Sequence, residues 1–226
     1  QSMFQLKPSL PSIDSKGKPI KYQFLKGQTP VIDVHPATPR DWFQGTSIFI
    51  TEGVIKADSA LTELLLNAGV SVEDLSEVTT TENARIKLLL MMERVPPKER
   101  VMIVAVGGVA NWHNRSEWND LVLRDRRVFI AFDGDVSSNV NVWSQASKMW
   151  SMLVDKSAEP ILIDLNMLSM EAYANAGLAD AGMKGMGVDD YFAGNYGDWV
   201  DLMAAGRVDL PERPKAPEGS AVVGEY

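Results

Sequence analysis

Glu52, Asp133 and Asp135 stand where metal chemistry is readily built. Glu52 follows the short apolar run Ser47-Ile48-Phe49-Ile50-Thr51, and the two aspartates follow the run Val128 to Phe132. An Asp-Gly-Asp turn sends both carboxylates toward one side, and Gly134 removes the Cβ that would crowd a metal or phosphate. Hard oxygen donors of this kind suit Mg²⁺ or Mn²⁺, which keep water and phosphate in the rest of their shells. The plain alternative for an isolated Asp-Gly-Asp is a solvated turn. A Glu-Gly closing another strand of the same sheet changes the balance, because facing acidic strand ends repel unless a cation joins them. The expectation is a convergent acidic site in which Glu52, Asp133 and Asp135 hold the metal.

Other candidates surround this set. Lys56, in the first turn of the helix after Glu52, could meet a phosphate, or be an ordinary solvated lysine. Gly107 and Gly108 end a second strand and would allow close backbone approach to a phosphate or nucleotide, unless they form a plain turn. Asn111, Trp112 and His113 offer a hydrogen bond and a stacking surface for a base, with packing as the simpler role for Trp112. Asp189 and Asp190 are secondary acidic groups whose alternative is capping of a local turn. Arg124, Arg126 and Arg127 form the densest basic cluster, which reads more simply as a charged strand entrance than as a phosphate patch. His35 and His113 are too few and too separated for a histidine metal centre, and no serine lies in a nucleophile-elbow pattern.

The elements that must position these residues follow from the apolar pattern. Buried strands are expected at Ser47 to Thr51, Val101 to Val106, Val128 to Phe132 and Ile161 to Leu165. Between them the 3.6-residue period predicts helices at Lys56 to Asn67, closed by Gly69, and at about Val140 to Val154. A helical insertion, Asn83 to Arg94, ends at Pro96-Pro97, and a short helix capped by Ser116 covers Glu117 to Leu123. A last helix is expected near Trp199 to Ala205. Alternation of strands and helices implies an α/β fold: a mainly parallel, four-stranded central sheet with helices on both faces. Residues 1–45 read as an extended N-terminal arm, 46–206 as the catalytic domain and 207–226 as a linker or tail.

Composition limits the choices further. At 226 residues, 45% hydrophobic and 23% charged, the chain is an ordinary globular protein. A net charge of −8 disfavours a broad nucleic-acid-coating surface and leaves room only for local contact. The absence of cysteine excludes disulfides and thiolate metal sites and suits a reducing cytoplasm. No apolar run is long enough to span a bilayer, so no membrane partner is expected. The opening Gln1-Ser2-Met3 suggests a trimmed chain or a segment cut from a longer protein.

With the acidic strand ends in view, the sequence resembles the Toprim domain of topoisomerases and bacterial-type primases. The likeness lies in Thr51-Glu52-Gly53 with Lys56-Ala57-Asp58, and in Asp133-Gly134-Asp135. More narrowly, adding Val106-Gly107-Gly108-Val109 with Asn111-Trp112 and Gly187-Val188-Asp189-Asp190-Tyr191, it is similar to the Toprim-like domain of phage and plasmid primase-type replication proteins. The resemblance spans about Tyr22 to Phe192 and departs at Val54 and Ile55, where that family often carries a charged residue. It implies that Glu52, Asp133 and Asp135 are the catalytic residues, Asp133 and Asp135 holding the catalytic Mg²⁺ or Mn²⁺ and Glu52 being an acid/base group or a further ligand.

The function expected on this basis is metal-dependent nucleotidyl transfer: primer synthesis on a single-stranded template by a phage or plasmid replication protein in a bacterial cytoplasm. Nucleotides and single-stranded DNA would be its ligands, with a helicase or other replication domains as partners. One alternative is a non-catalytic module that binds nucleotide or nucleic acid in a larger replication protein; another is a Toprim nuclease. A haloacid-dehalogenase-like phosphatase would use Asp133-Gly134-Asp135 as its nucleophile loop, but that fold usually begins with the strand concerned.

Overall fold

The computed structural model describes residues 31–78, 83–113, 115–175 and 186–215, with the short pieces 5–6, 9–10, 12–13, 17, 19 and 23–24. Near the start, β1 (Gln5–Leu6) and β2 (Gln23–Phe24) form a separate antiparallel ladder. The main sheet opens with β3 (Asp33–Val34); α1 (Trp42–Gly45) then leads into β4 (Ser47–Glu52) and α2 (Val54–Asn67). After α3 (Val72–Ser76) and α4 (Ala84–Glu93) come β5 (Val101–Val106), β6 (Arg127–Ala131), α5 (Val140–Asp155) and β7 (Glu159–Ile163). The chain continues through α6 (Leu165–Asn175), α7 (Val188–Ala193), α8 (Trp199–Ala204) and β8 (Gly206–Arg207).

The fold is α/β, with a six-stranded mixed sheet in the order β3-β5-β4-β6-β7-β8. Its middle strands β5, β4, β6 and β7 are mutually parallel, whereas β3 and β8 are antiparallel edges. The expected four-stranded sheet is thus extended at both sides by two-residue strands. Every residue of β5 is buried, as is the interior of β4, which is why both read as continuous apolar runs. The chain steps from β4 to β5 in one direction and from β6 to β7 in the other. With right-handed crossovers, those opposite steps put α2 and α5 on opposite faces.

Local chemistry accounts for the helix boundaries. In α2, Ala57, Ala60, Leu61, Leu64 and Leu65 are buried on one stripe. Gly69 ends the helix at φ 81°, while its N–H and that of Val70 donate to Leu66 and Leu65 carbonyls, which closes the last turn. In α5, Ala146, Met149 and Leu153 are buried, with Val142 and Trp150 packed beside them. Asp164 follows β7 and caps α6, its Oδ1 accepting from the Met167 N–H at 3.0 Å. Leu165 therefore opens a helix instead of closing the fourth strand.

Other boundaries move as well. The segment expected as a helix over 117–123 is only a 3₁₀ turn, Ser116–Asn119, and Ser116 does not cap it: its hydroxyl donates to Glu117 Oε2 at 3.2 Å. At the N-terminal side, β3 lies in the sheet and Trp42 is fully buried, so residues 33–45 belong with the body. At the other end Arg207 is a sheet residue bonded to Asp164 at 3.0 Å. Trp143 Nε1 donates to the Pro211 carbonyl at 2.8 Å, and Arg213 sits 5.8 Å over the Trp143 ring. The body thus runs past residue 207, and the rest of the proposed tail from 216, like the Met- and Gly-rich stretch 176–185, lies outside the described residues.

Arg126 is a structural residue. Its buried guanidinium donates to the carbonyls of Trp42, Phe43, Thr46 and Val122, joining α1 to the entrance of β6. Burial pulls its pKa down to about 10, so it remains charged at neutral pH. These bonds leave no role for Arg126 in a phosphate patch.

Candidate acidic site at the sheet's switch point

Taken in chain order, the four parallel strands lie 2-1-3-4 across the sheet, so the direction of winding reverses between β4 and β6. In an open parallel sheet the crevice beyond the strand ends at such a reversal is where ligands bind, because the flanking loops part there. Glu52 is the last residue of β4, and Asp133 lies just beyond the end of β6. Lys56, one turn into α2, joins them: its ammonium donates to Glu52 Oε1 at 2.9 Å and to Asp133 Oδ1. This pairing needs both the tight Gly53 turn at φ 85° and the parallel register of β4 with β6.

The electrostatics follow from partial burial. The Asp133 carboxyl is pushed up to about 7, first by burial and then by its hydrogen bond and charge contact with Glu52, which together outweigh Lys56. Burial lowers the Lys56 pKa, but Glu52 and Asp133 overcome that effect and hold it above the usual lysine value. Lys56 is therefore a firmly charged ammonium between two carboxyl groups that compete for it.

The Asp-Gly-Asp turn is anchored to the segment before α7. Gly134 N–H donates to the Met186 carbonyl at 2.9 Å. A Cβ on Gly187 would stand 2.5 Å from Asp189 Oδ1, 2.6 Å from Lys56 Cε and 3.1 Å from Asp133 Oδ1. Gly187 thus lets Asp189 close on the Lys56–Asp133 pair, and the secondary residue Asp189 joins the site. Asp190 does not share that position; it reaches back to the Gly187 N–H at 3.4 Å and caps α7.

Asp135 is oriented differently from Asp133. Its Oδ2 accepts from Asn139 Nδ2 at 2.8 Å, at the start of α5, while its Oδ1 is buried without a hydrogen-bond partner. Asp189 Oδ1 is buried and unpartnered too. Among the described residues no three His, Cys, Asp or Glu side chains stand together as a ready metal-ligand group. The convergent three-carboxylate cluster is therefore not preassembled: Lys56 stands between Glu52 and Asp133, and Asn139 holds Asp135. The donor set still suits a hard cation, because two orphaned carboxylate oxygens lie in an excess of negative charge.

The glycine loop after β5 borders the same strand ends, since Gly53 N–H donates to the Val106 carbonyl at 2.8 Å. Gly108 has φ 103°, and Asn111 Nδ2 donates to the Gly107 carbonyl at 2.7 Å. Gly107, Gly108 and Asn111 form a turn closed on itself, in which the Asn111 side chain serves the backbone. Trp112 is 3% exposed and packs in the core.

Asn139 and Gly187 also belong to the site. Asn139 carries a readable signal, an N-cap type immediately before an amphipathic run; Gly187 stands in the Gly187-Val188-Asp189-Asp190-Tyr191 motif, but its closeness to Lys56 and Asp133 depends on the fold. Comparison with protein-family models, curated proteins and solved structures finds no match. Fold and site together define an α/β protein with an acidic, lysine-bridged cluster at the switch point of a mixed sheet. Among the described residues no helix is long and apolar enough to cross a membrane.

Proposed function

We propose that the chain is a Toprim-like, divalent-cation-dependent nucleotidyltransferase, with primer synthesis on a single-stranded template as its reaction. The observation that carries this reading is two buried, unpartnered carboxylate oxygens: Asp189 Oδ1, beside the Lys56–Asp133 pair, and Asp135 Oδ1, on the same Asp-Gly-Asp turn as Asp133. Unpaired carboxylate oxygens are costly unless something positive binds them. Asp133, Asp135 and Asp189 would hold Mg²⁺ or Mn²⁺, which when bound supplies charge neutralisation for a triphosphate and its leaving group. Lys56 would turn from Asp133 to a phosphate oxygen, keeping its bond to Glu52. Glu52 would then accept the proton of the attacking hydroxyl. Primer synthesis with Mg²⁺ or Mn²⁺ tests this: the parent extends primers, whereas Glu52→Gln and Asp133→Asn lose at least a hundredfold in rate. Equal activity in all three overturns the proposal.

One observation favours a second reading, a non-catalytic nucleotide- or nucleic-acid-binding module: Lys56 is an ion-pair partner of both Glu52 and Asp133. Absence of calorimetric Mn²⁺ binding, with nucleic-acid binding intact in the acidic-site variants, would select it.

A further inference from the structure

A groove of about 530 Å³ lies between the loop after β5 and the outer side of α5, bounded by Trp112, His113, Arg115, Trp118, Lys148 and Lys156 among others. The loop wall is built firmly. Trp118 Nε1 donates to the Trp112 carbonyl at 2.8 Å, and the His113 ring stacks on Trp112 with centroids 3.8 Å apart. His113 Nε2 also bonds Gln145 Oε1, which ties the loop to α5. On the helix wall Lys148 and Lys156 are exposed, and neither has a carboxylate within ion-pair distance among the described residues. Arg115 faces them across the groove, its Nε fixed by the Asn111 carbonyl at 2.9 Å. Asp155 is the opposing charge in the lining.

We infer that this groove holds a single-stranded nucleic acid by its phosphates. In a chain of net charge −8, a groove with Arg115, Lys148 and Lys156 against Asp155 is a local reversal of sign. Lys148 and Lys156 are separated by about 12 Å along a helix rising 1.5 Å per residue, which suits an extended polyanion better than one phosphate group. The half-buried His113 ring, stacked on the buried Trp112, gives a base a surface to stack on, while Ser147, Ser151 and Asn119 offer hydrogen bonds. An acidic peptide would match the cations but not that ring.

The inference deepens the nucleotidyl-transfer reading by giving the template strand a track, but its test does not use the acidic site. Fluorescently labelled oligo(dT) is titrated with the full chain in EDTA, with anisotropy as readout, over a range of salt. With phosphates neutralised by Arg115, Lys148 and Lys156, log affinity should fall against log salt with a slope of about −2. The Lys148→Glu/Lys156→Glu double variant, altered only at exposed positions, should bind at least tenfold more weakly with a flatter slope. Reversal of exposed Lys98, away from the groove, should leave binding within twofold. No binding by the parent at low salt, undiminished binding by the double variant, or equal competition by polyglutamate would each overturn the inference. Failure here with metal-dependent activity intact would leave the acidic-site reading standing.

Discussion

Asp133 keeps its proton to higher pH than an ordinary aspartate because burial, and then Glu52, cost its charged form more than Lys56 returns. Its pKa of about 7 lies above the ordinary 3.8, so folding favours the protonated carboxyl. That contribution is complete at and below the ordinary value and is lost as pH rises through about 7. Lys56, held above its ordinary value, stays charged across this window and adds nothing to the slope. In EDTA, Asp133→Asn should therefore gain on the parent by a few degrees in melting temperature between roughly pH 4 and 8. Thermal scans at several pH values measure this, and parallel curves would mean that Asp133 ionises freely. A residue that weakens the bare fold in this way is what a ligand-binding role for Asp133 would entail.

The glycines of the site separate packing from chemistry at the level of elements. A Cβ on Gly134 would stand 3.1 Å from the Asn166 backbone nitrogen and 3.2 Å from the Leu165 carbonyl carbon, where α6 begins. Backbone cannot swing aside, so Gly134→Ala should destabilise the fold by about 1–3 kcal/mol, read from urea midpoints. A Cβ on Gly187 would meet side-chain atoms of Asp189, Lys56 and Asp133 instead, which can move. Gly187→Ala should cost less than about 1 kcal/mol of stability yet weaken Mn²⁺ binding about tenfold. The opposite pattern would misassign both turns. The same contrast governs what the sequence made legible. Buried strands such as Val101–Val106 and the striped helix Val140–Asp155 announce themselves because burial on both faces, or on one, leaves a period. Edge strands of two residues, Asp33–Val34 and Gly206–Arg207, are too short to carry one. Glu52 and Asp133 were recognisable as strand-end acids. Their joining by Lys56, and the turning of Asp135 to Asn139, depend on register and on contacts between distant segments.

Across the whole molecule, opposite charges are kept in separate places. The acidic cluster occupies the switch point, where β4 and β6 diverge, while the groove along α5 gathers cations in an otherwise anionic protein. Such a division suits a protein that draws a cation and a polyanion to different positions on one rigid sheet. The most direct test is calorimetric titration of Mn²⁺ into the parent and into Asp133→Asn, Asp135→Asn and Asp189→Asn at pH 8. Saturable binding in the parent, weakened at least tenfold in each variant, is the predicted result. No heat of binding in the parent, or an affinity indifferent to all three substitutions, would contradict a cation site at the switch point.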